Sequence, residues 1–181
     1  MNSTNKNTMY IVVVAIVVII IIAGVAAYIF LYSGGEEGNG GNGGGETIYT
    51  LGNATSLQFS VLSMISDSTT ALDFAAKNLD NMDLMLRVDL DIGGGTVFSY
   101  IMYGNQTSFN NETGVWMESV FETDWQNWNT DQFSSYRNHN PDWTTGDDDI
   151  EYTDDLGNSI TVYDIVINPS LDDSLFAVPS A

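Results

Sequence analysis

The stretch Met82–Ile92, MDLMLRVDLDI, decides the fold class of this chain. Apolar side chains recur at every second position from Met82 to Ile92, and the intervening positions carry mainly Asp and Arg, with Met85 as the one apolar exception. Successive side chains of a β-strand point to opposite faces, so this alternation predicts a long antiparallel strand with one buried and one solvated face. The stretch indicates a β-rich domain.

Flanking segments extend the same pattern. Residues 56–61 alternate Ser and Gln with apolar side chains, residues 71–77 predict a second strand, and the glycines at 93–95 predict a turn into a return strand at 96–103. Shorter strands are predicted at 106–109 and 115–118, and a late hairpin turns at 154–158. The alternation of its return strand, 159–168, slips near Tyr163, which leaves its inward face open.

A helical insertion is predicted between the early strands and the late hairpin. Ser119 and Glu122 match a capping box, and aromatic residues follow at helical spacing, so we expect one helix near 120–128 and a second near 130–137. Leu171, Leu175 and Phe176 are expected to seal the end of the core. The predicted class is α+β: an N-terminal transmembrane helix plus a curved antiparallel sheet with a short helical lid.

The N-terminal part has a different composition. Residues 9–32 contain no charge, proline or amide side chain, and 24 residues at about 1.5 Å each can cross a hydrocarbon core of about 30 Å. We interpret the run as a retained single-pass anchor, because it exceeds the usual length of a signal-peptide core. Lys6 in the tail 1–8 favours a cytoplasmic N-terminus and an extracytoplasmic domain at 47–181.

The linker 33–46 has eight glycines in 14 residues and nothing apolar, which predicts a flexible tether. The 149 residues after Tyr32 hold all 24 acidic residues and three of the four basic ones, a net charge of −21. Such a charge disfavours nucleic acid and anionic lipid headgroups as partners. It is typical of a strongly hydrated surface, and a cation-collecting surface is the alternative.

Chemistry-bearing motifs are sparse. The chain has one histidine, His139, and no cysteine, and it lacks a Gly-x-Ser-x-Gly motif, so we expect no enzymatic activity. An acidic cluster is a candidate site for Ca²⁺, with solvated turn residues as the alternative; its members are Asp147, Asp148, Asp149 and Glu151. Three Asn-x-Thr acceptors for N-glycosylation fall in predicted exterior loops, at Asn53, Asn105 and Asn111.

Aromatic side chains are dense in the helical insertion. They could fill the core between helix and sheet, or they could line an apolar cavity for a lipid or another hydrophobic ligand. The candidate cavity residues, taken together with the long strand, are Leu84, Leu86, Val88, Trp116, Phe121, Trp125, Trp128 and Phe133.

Three features together resemble the LolA/LppX-like lipoprotein-carrier superfamily. The first is the order of elements. The second is the stretch KNLDNMDLMLRV at 77–88 followed by Tyr-Ile-Met at 100–102, which is similar to archaeal membrane-anchored members of the group. The third is the closing stretch NPSLDDSLF at 168–176. The resemblance covers about residues 57–179. It implies an unclosed barrel around an apolar cavity, helices as a lid, and binding or carriage of lipid. The chain departs from the group in having no lipidated cysteine and a shorter sheet, so local holding of a ligand fits better than long-range transport. A structural or adhesive surface subunit is the rival function.

Overall fold

The computed structural model describes residues 48–65, 68–79 and 81–179. The predicted tail 1–8, transmembrane helix 9–32 and linker 33–46 lie outside these ranges, as does residue 47, the first of the predicted domain. Within the described ranges, no helix combines the length and the hydrophobicity needed to span a bilayer.

Eight antiparallel strands form one unclosed sheet, in the order β6-β5-β4-β3-β2-β1-β8-β7. The strands are β1 Ser56–Ile65, β2 Ser68–Lys77, β3 Met85–Asp91, β4 Val97–Tyr103, β5 Thr107–Asn110, β6 Met117–Glu118, β7 Ile150–Thr153 and β8 Ser159–Ile167. The first six strands form a meander, and the late hairpin β7–β8 joins it by pairing β8 with β1. The antiparallel sheet predicted from the alternation is therefore confirmed.

The long strand is shorter than its alternation implied. β3 begins at Met85, because Asn81–Leu84 form a turn closed by the Leu84 amide donating to the Asn81 carbonyl. Met82 consequently lies outside the strand with 86% of its surface exposed. Leu86, Val88 and Leu90 point into the core as predicted.

One continuous helical segment covers the inner face of the sheet, where two separate helices were expected. It comprises α1 Phe121–Asp124, a π-helical stretch Trp125–Phe133 and α2 Ser134–His139. We call residues 121–139 the covering helix. Its aromatic side chains join the core: Phe133 stacks against Phe59, and Trp128 packs on Tyr100 with ring centroids 4.5 Å apart.

The predicted capping box is wrong. Val120 precedes the helix as N-cap without a side-chain hydrogen bond. The Ser119 hydroxyl donates instead to the buried Asp124 carboxylate, which also accepts a 2.7 Å bond from the Ser108 hydroxyl. A hydrogen bond to the buried Asp124 carboxylate stabilises the fold more than a cap at the solvated end of the helix would. A buried carboxylate without a partner costs far more free energy than a helix amide that can bond to water.

The slip near Tyr163 is a β-bulge. Gln58 and Ser60 pair with Val166 and Tyr163, so two steps along β1 match three along β8. Asp164, with φ of +52°, is the extra residue. The bulge leaves Ile160 and Val162 before it buried in the inner core and lets the partly buried Ile165 and Ile167 after it pack against that same core.

The C-terminal segment, residues 169–179, lies on the opposite face of the sheet, so the expectation that it seals the same core is wrong. Phe176 is buried there in a second cluster with Ala75 and Ile101, and Trp116 packs against that cluster. Arg87 donates from Nη1 to the Leu175 carbonyl at 3.0 Å, and the Tyr103 hydroxyl donates to the Phe176 carbonyl. Lys77 adds an ion pair with Asp173.

Candidate ligand-binding cleft

A cleft of about 270 Å³ lies where the covering helix meets the turn before β3. Residues from three parts of the chain line it: the segment before β3, at residues 79 and 81–84, the β4–β5 turn and the covering helix. The lining residues are Leu79, Asn81, Met82, Leu84, Gly104, Trp125, Asn129, Phe133, Ser134 and Arg137.

Close backbone approach shapes the floor of the cleft. The Gly104 amide donates to the Leu84 carbonyl at 2.8 Å. A Cβ atom at position 104 would lie 2.1 Å from the Met82 carbonyl oxygen, so the two turns can touch only because residue 104 is glycine. The contact leaves the Met82 side chain at the exposed rim.

The covering helix supplies the opposite wall through residues four positions apart. Trp125, Asn129 and Phe133 all lie in its π-helical stretch, and Arg137 follows one step later in α2. Phe121 packs on Trp125 in a tilted arrangement, with ring centroids 5.1 Å apart, and extends the aromatic surface beyond the cleft. π-helical segments occur frequently at functional sites.

The charge of the cleft contrasts with that of the chain. None of the described lining residues is acidic, although the chain has 24 Asp and Glu residues. The Arg137 guanidinium donates from Nε to the Leu51 carbonyl at 2.9 Å and from Nη2 to the Gly52 carbonyl at 2.7 Å. Asn81, Asn129 and Ser134 add neutral groups that can donate and accept hydrogen bonds. The cleft therefore combines an apolar wall with a polar one, in which Arg137 is the only charged group among the described lining residues.

Three of the eight predicted cavity residues line this cleft: Leu84, Trp125 and Phe133. Leu86 and Val88 are fully buried beneath the helix, and Trp128 is core packed on Tyr100. Phe121 contacts the cleft only through Trp125, while Trp116 packs on the opposite face of the sheet. The structure thus separates a packed aromatic core from a smaller open cleft.

Sequence reasoning missed most of the polar lining. Asn81, Asn129 and Ser134 carry no periodic signal, and they meet only because the helix crosses the turn before β3. The need for glycine at position 104 comes from its close approach to the Met82 carbonyl, a contact between two separate turns that leaves no local signal in the sequence.

The acidic residues Asp147, Asp148, Asp149 and Glu151 are exposed and are not gathered around a common point. Asp147 accepts through Oδ2 from the Thr144 amide at 2.7 Å, and the Asp148 carbonyl accepts from the Trp143 indole at 2.8 Å. No group of three or more Asp, Glu or His side chains suited to a metal occurs within the described ranges.

Burial shifts the pKa of several side chains outside the cleft. Burial, with a hydrogen bond to Glu112 at 2.6 Å, raises the pKa of Tyr100, and burial raises the pKa of Tyr136. Burial also raises the pKa of Asp131, against the opposing effect of its bond from Gln126. His139 is exposed at the end of the covering helix, and its ring stacks on that of Tyr152 with centroids 3.6 Å apart.

The three glycosylation acceptors occupy three separate loops. Asn53 and Asn105 are exposed, and Asn111 is half-buried at the end of β5.

No family model, curated protein or solved structure matches this chain.

Proposed function

We propose that this protein is a membrane-anchored surface protein whose domain holds the end of a lipid-like amphiphile in the cleft under Trp125. The observation that carries the proposal is the cleft itself, a concave site of about 270 Å³ with an aromatic and aliphatic wall. Ligand sites in proteins are mainly apolar concavities with a few polar groups that orient the ligand.

The lining favours an uncharged polar head. Asn81, Asn129 and Ser134 can bond hydroxyl, ester or amide groups, and the described lining contains no carboxylate that would attract a cation. Arg137 already donates to two backbone carbonyls, which ties its guanidinium to the loop at Leu51 and Gly52. An anionic head would additionally have to approach through the field of a chain with a net charge of −20.

The size of the cleft favours local holding over carriage of a whole lipid. Its volume lies just below the range of about 300–1,000 Å³ typical of small-molecule sites. The core beneath is filled by the stacked rings of Phe59, Phe74 and Phe133, so a larger cavity would require the covering helix to move. The small cleft fits the two features in which this chain departs from the LolA/LppX-like carriers, the missing lipidated cysteine and the shorter sheet. Both favour local holding of a ligand over long-range transport.

The predicted architecture gives the cleft a source of ligand. An anchor at 9–32 and a glycine-rich tether at 33–46 would hold the domain near the bilayer surface, outside the cell. A tethered domain could take up an amphiphile and pass it to a neighbour without diffusing away.

Photolabelling tests the proposal. The full chain in its membranes is exposed to a fatty alcohol that carries a photoreactive diazirine, and labelled peptides are mapped by mass spectrometry. We expect labelling of the peptide that contains Trp125 and Phe133, competition by an unlabelled monoacylglycerol, and a several-fold loss in Trp125→Ala. Trp116→Ala is the matched control, because Trp116 is also half-buried but lies on the opposite sheet face.

A second candidate is a structural or adhesive surface subunit without a ligand. The filled aromatic core favours it, since stacked aromatic rings occupy the interior beneath the helix. Equal labelling of Trp116 and Trp125 peptides, unaffected by competitor, would favour this second function.

A further inference from the structure

We propose that Asn105 is a site of N-linked glycosylation and that the acceptors at Asn53 and Asn111 stay unmodified in the folded domain. The inference rests on the extracytoplasmic location included in the proposed function, and it is independent of the ligand. It is carried by the different hydrogen bonds that the three Asn-x-Thr motifs make.

Asn105 lies at the tip of the β4–β5 turn. The turn is closed by the Gln106 amide donating to the Tyr103 carbonyl at 3.1 Å, and Gln106 has φ of +70°. The Asn105 side chain is exposed, and its Nδ2 has no hydrogen-bond partner among the described residues. The nitrogen that would carry a glycan therefore faces solvent.

The threonine of this motif is placed for the reaction. The Thr107 hydroxyl donates to Oδ1 of Asn105 at 2.6 Å. A hydrogen bond to the amide oxygen orients the side chain and leaves the amide nitrogen to act as the nucleophile. In this motif, both polar side chains are arranged for the modification.

In the motif at Asn53, the asparagine amide and the threonine hydroxyl both form hydrogen bonds with other residues. The Thr55 hydroxyl donates to Oδ1 of Asn168 at 3.0 Å, away from Asn53. The Asn53 amide donates from Nδ2 to the Ile48 carbonyl at 3.2 Å and accepts through Oδ1 from the Thr50 amide at 2.7 Å. Modification at Asn53 would disturb a loop that is closed by its own side chain.

The motif at Asn111 belongs to the sheet. Oδ1 of Asn111 accepts from the Ser99 amide at 2.7 Å and extends the pairing of β4 with β5, and the side chain is half-buried. The Thr113 hydroxyl donates to the Val115 carbonyl at 3.4 Å and not to the side chain of Asn111.

The chemistry requires a glycan activated as a glycosyl phosphate ester on a membrane lipid, and a transferase of the cell. Nδ2 of Asn105 attacks the anomeric carbon, and a C–N bond forms as the bond from that carbon to the phosphate oxygen breaks. The phosphate leaves with the electron pair, and the amide proton passes to a base of the transferase. A glycan on the tip of this turn would project away from the strands of the sheet.

Glycopeptide mass spectrometry on the full chain, purified from the membranes of the cells that make it, tests the proposal. We expect a glycan on the peptide containing Asn105 and only unmodified Asn53 and Asn111. The glycan should be lost in N105Q and in T107V, retained in T107S, and unaffected in the controls N53Q and N111Q. T107V is nearly isosteric with the wild type, which separates loss of the hydroxyl from loss of the fold.

Protease treatment of intact cells separates the possible failures. An unmodified Asn105 in a domain that the protease can reach overturns the glycosylation proposal and leaves the proposed location standing. A domain protected from the protease overturns both. A glycan on Asn53 or Asn111 with Asn105 bare also overturns the proposal.

Discussion

The phenyl ring of Phe133 stacks on that of Phe59 with centroids 5.5 Å apart and ring planes 21° apart, and this contact joins the covering helix to the sheet. Both rings are almost completely buried, and Phe74 contacts both. Phe133 also forms part of the cleft wall, so one side chain connects stability of the helix to the geometry of the site.

We expect Phe133→Ala to lower the free energy of unfolding by about 3–5 kcal/mol, because it removes a buried aromatic ring and leaves a cavity. Urea unfolding followed by tryptophan fluorescence measures the change. Phe121→Ala is the control: Phe121 is half-buried on Trp125, and its loss should cost roughly 1 kcal/mol. Similar losses in the two variants would show that the helix does not depend on the Phe59 contact.

In Gly104→Ala the new methyl group would collide with the Met82 carbonyl and displace the floor of the cleft. We therefore expect the free energy of unfolding to fall by about 1–3 kcal/mol and photolabelling at Trp125 to decrease. Unfolding experiments and peptide mapping measure the two effects. Gly94→Ala is the control: φ at Gly94 is +69° with open space around it, so strain of about 1 kcal/mol should leave labelling unchanged. Unchanged labelling in Gly104→Ala would contradict the assigned role of that close approach.

Phe176→Ala should release the C-terminal segment from the sheet. Phe176 is the buried residue of the segment, and the hydrogen bonds from Arg87 and Tyr103 depend on the path that its burial fixes. Carboxypeptidase digestion of the variant should remove residues 169–179 several times faster than in the wild type, while the covering helix stays protected from hydrogen exchange. Val178→Ala, which removes a smaller half-buried side chain, is the control. Loss of protection throughout the sheet would show instead that the segment is part of the cooperative core.

His139 gives the domain a pH dependence that can be assigned to one residue. The imidazole is exposed on one side and covered on the other by the Tyr152 ring, and this partial desolvation lowers its pKa below the ordinary value of 6.5. The unfolded chain therefore binds the proton more tightly than the folded one. The stabilising contribution is therefore fully present above about pH 6.5 and is lost as the pH falls from 6.5 through the folded-state pKa.

NMR titration of the His139 ring, together with unfolding measurements between pH 7 and 5, tests this sign. His139→Phe keeps an aromatic ring on Tyr152 and should lack that part of the pH dependence. A ring that titrates above pH 6.5 would contradict the expected shift.

The alternation of apolar and polar residues was enough to predict the antiparallel sheet. Leu86, Val88 and Leu90 in β3, and Leu57, Phe59 and Val61 in β1, point to the inner core as their spacing indicated. Strand faces are predictable because the side-chain period of two is a local property of the backbone.

The covering helix was predicted in position and not in form. Helical spacing of Phe121, Trp125 and Trp128 indicated a helix, but the π-helical stretch and the bond between Ser119 and Asp124 depend on the sheet beneath it. The cavity candidates were likewise divided by packing, since Leu86 and Trp128 became core while Trp125 remained at an open cleft.

The sequence by itself determined the positions of the strands, the inward faces of β1 and β3 and the turn at Gly93–Gly95, because each follows from the conformations open to neighbouring residues. Tertiary structure decided the pairing of β8 with β1, the bulge at Asp164, the attachment of Phe176 to the opposite face and the cleft between Gly104 and the covering helix. These features depend on contacts between residues far apart in the chain. Their stability comes from burial and hydrogen bonding that no local pattern encodes.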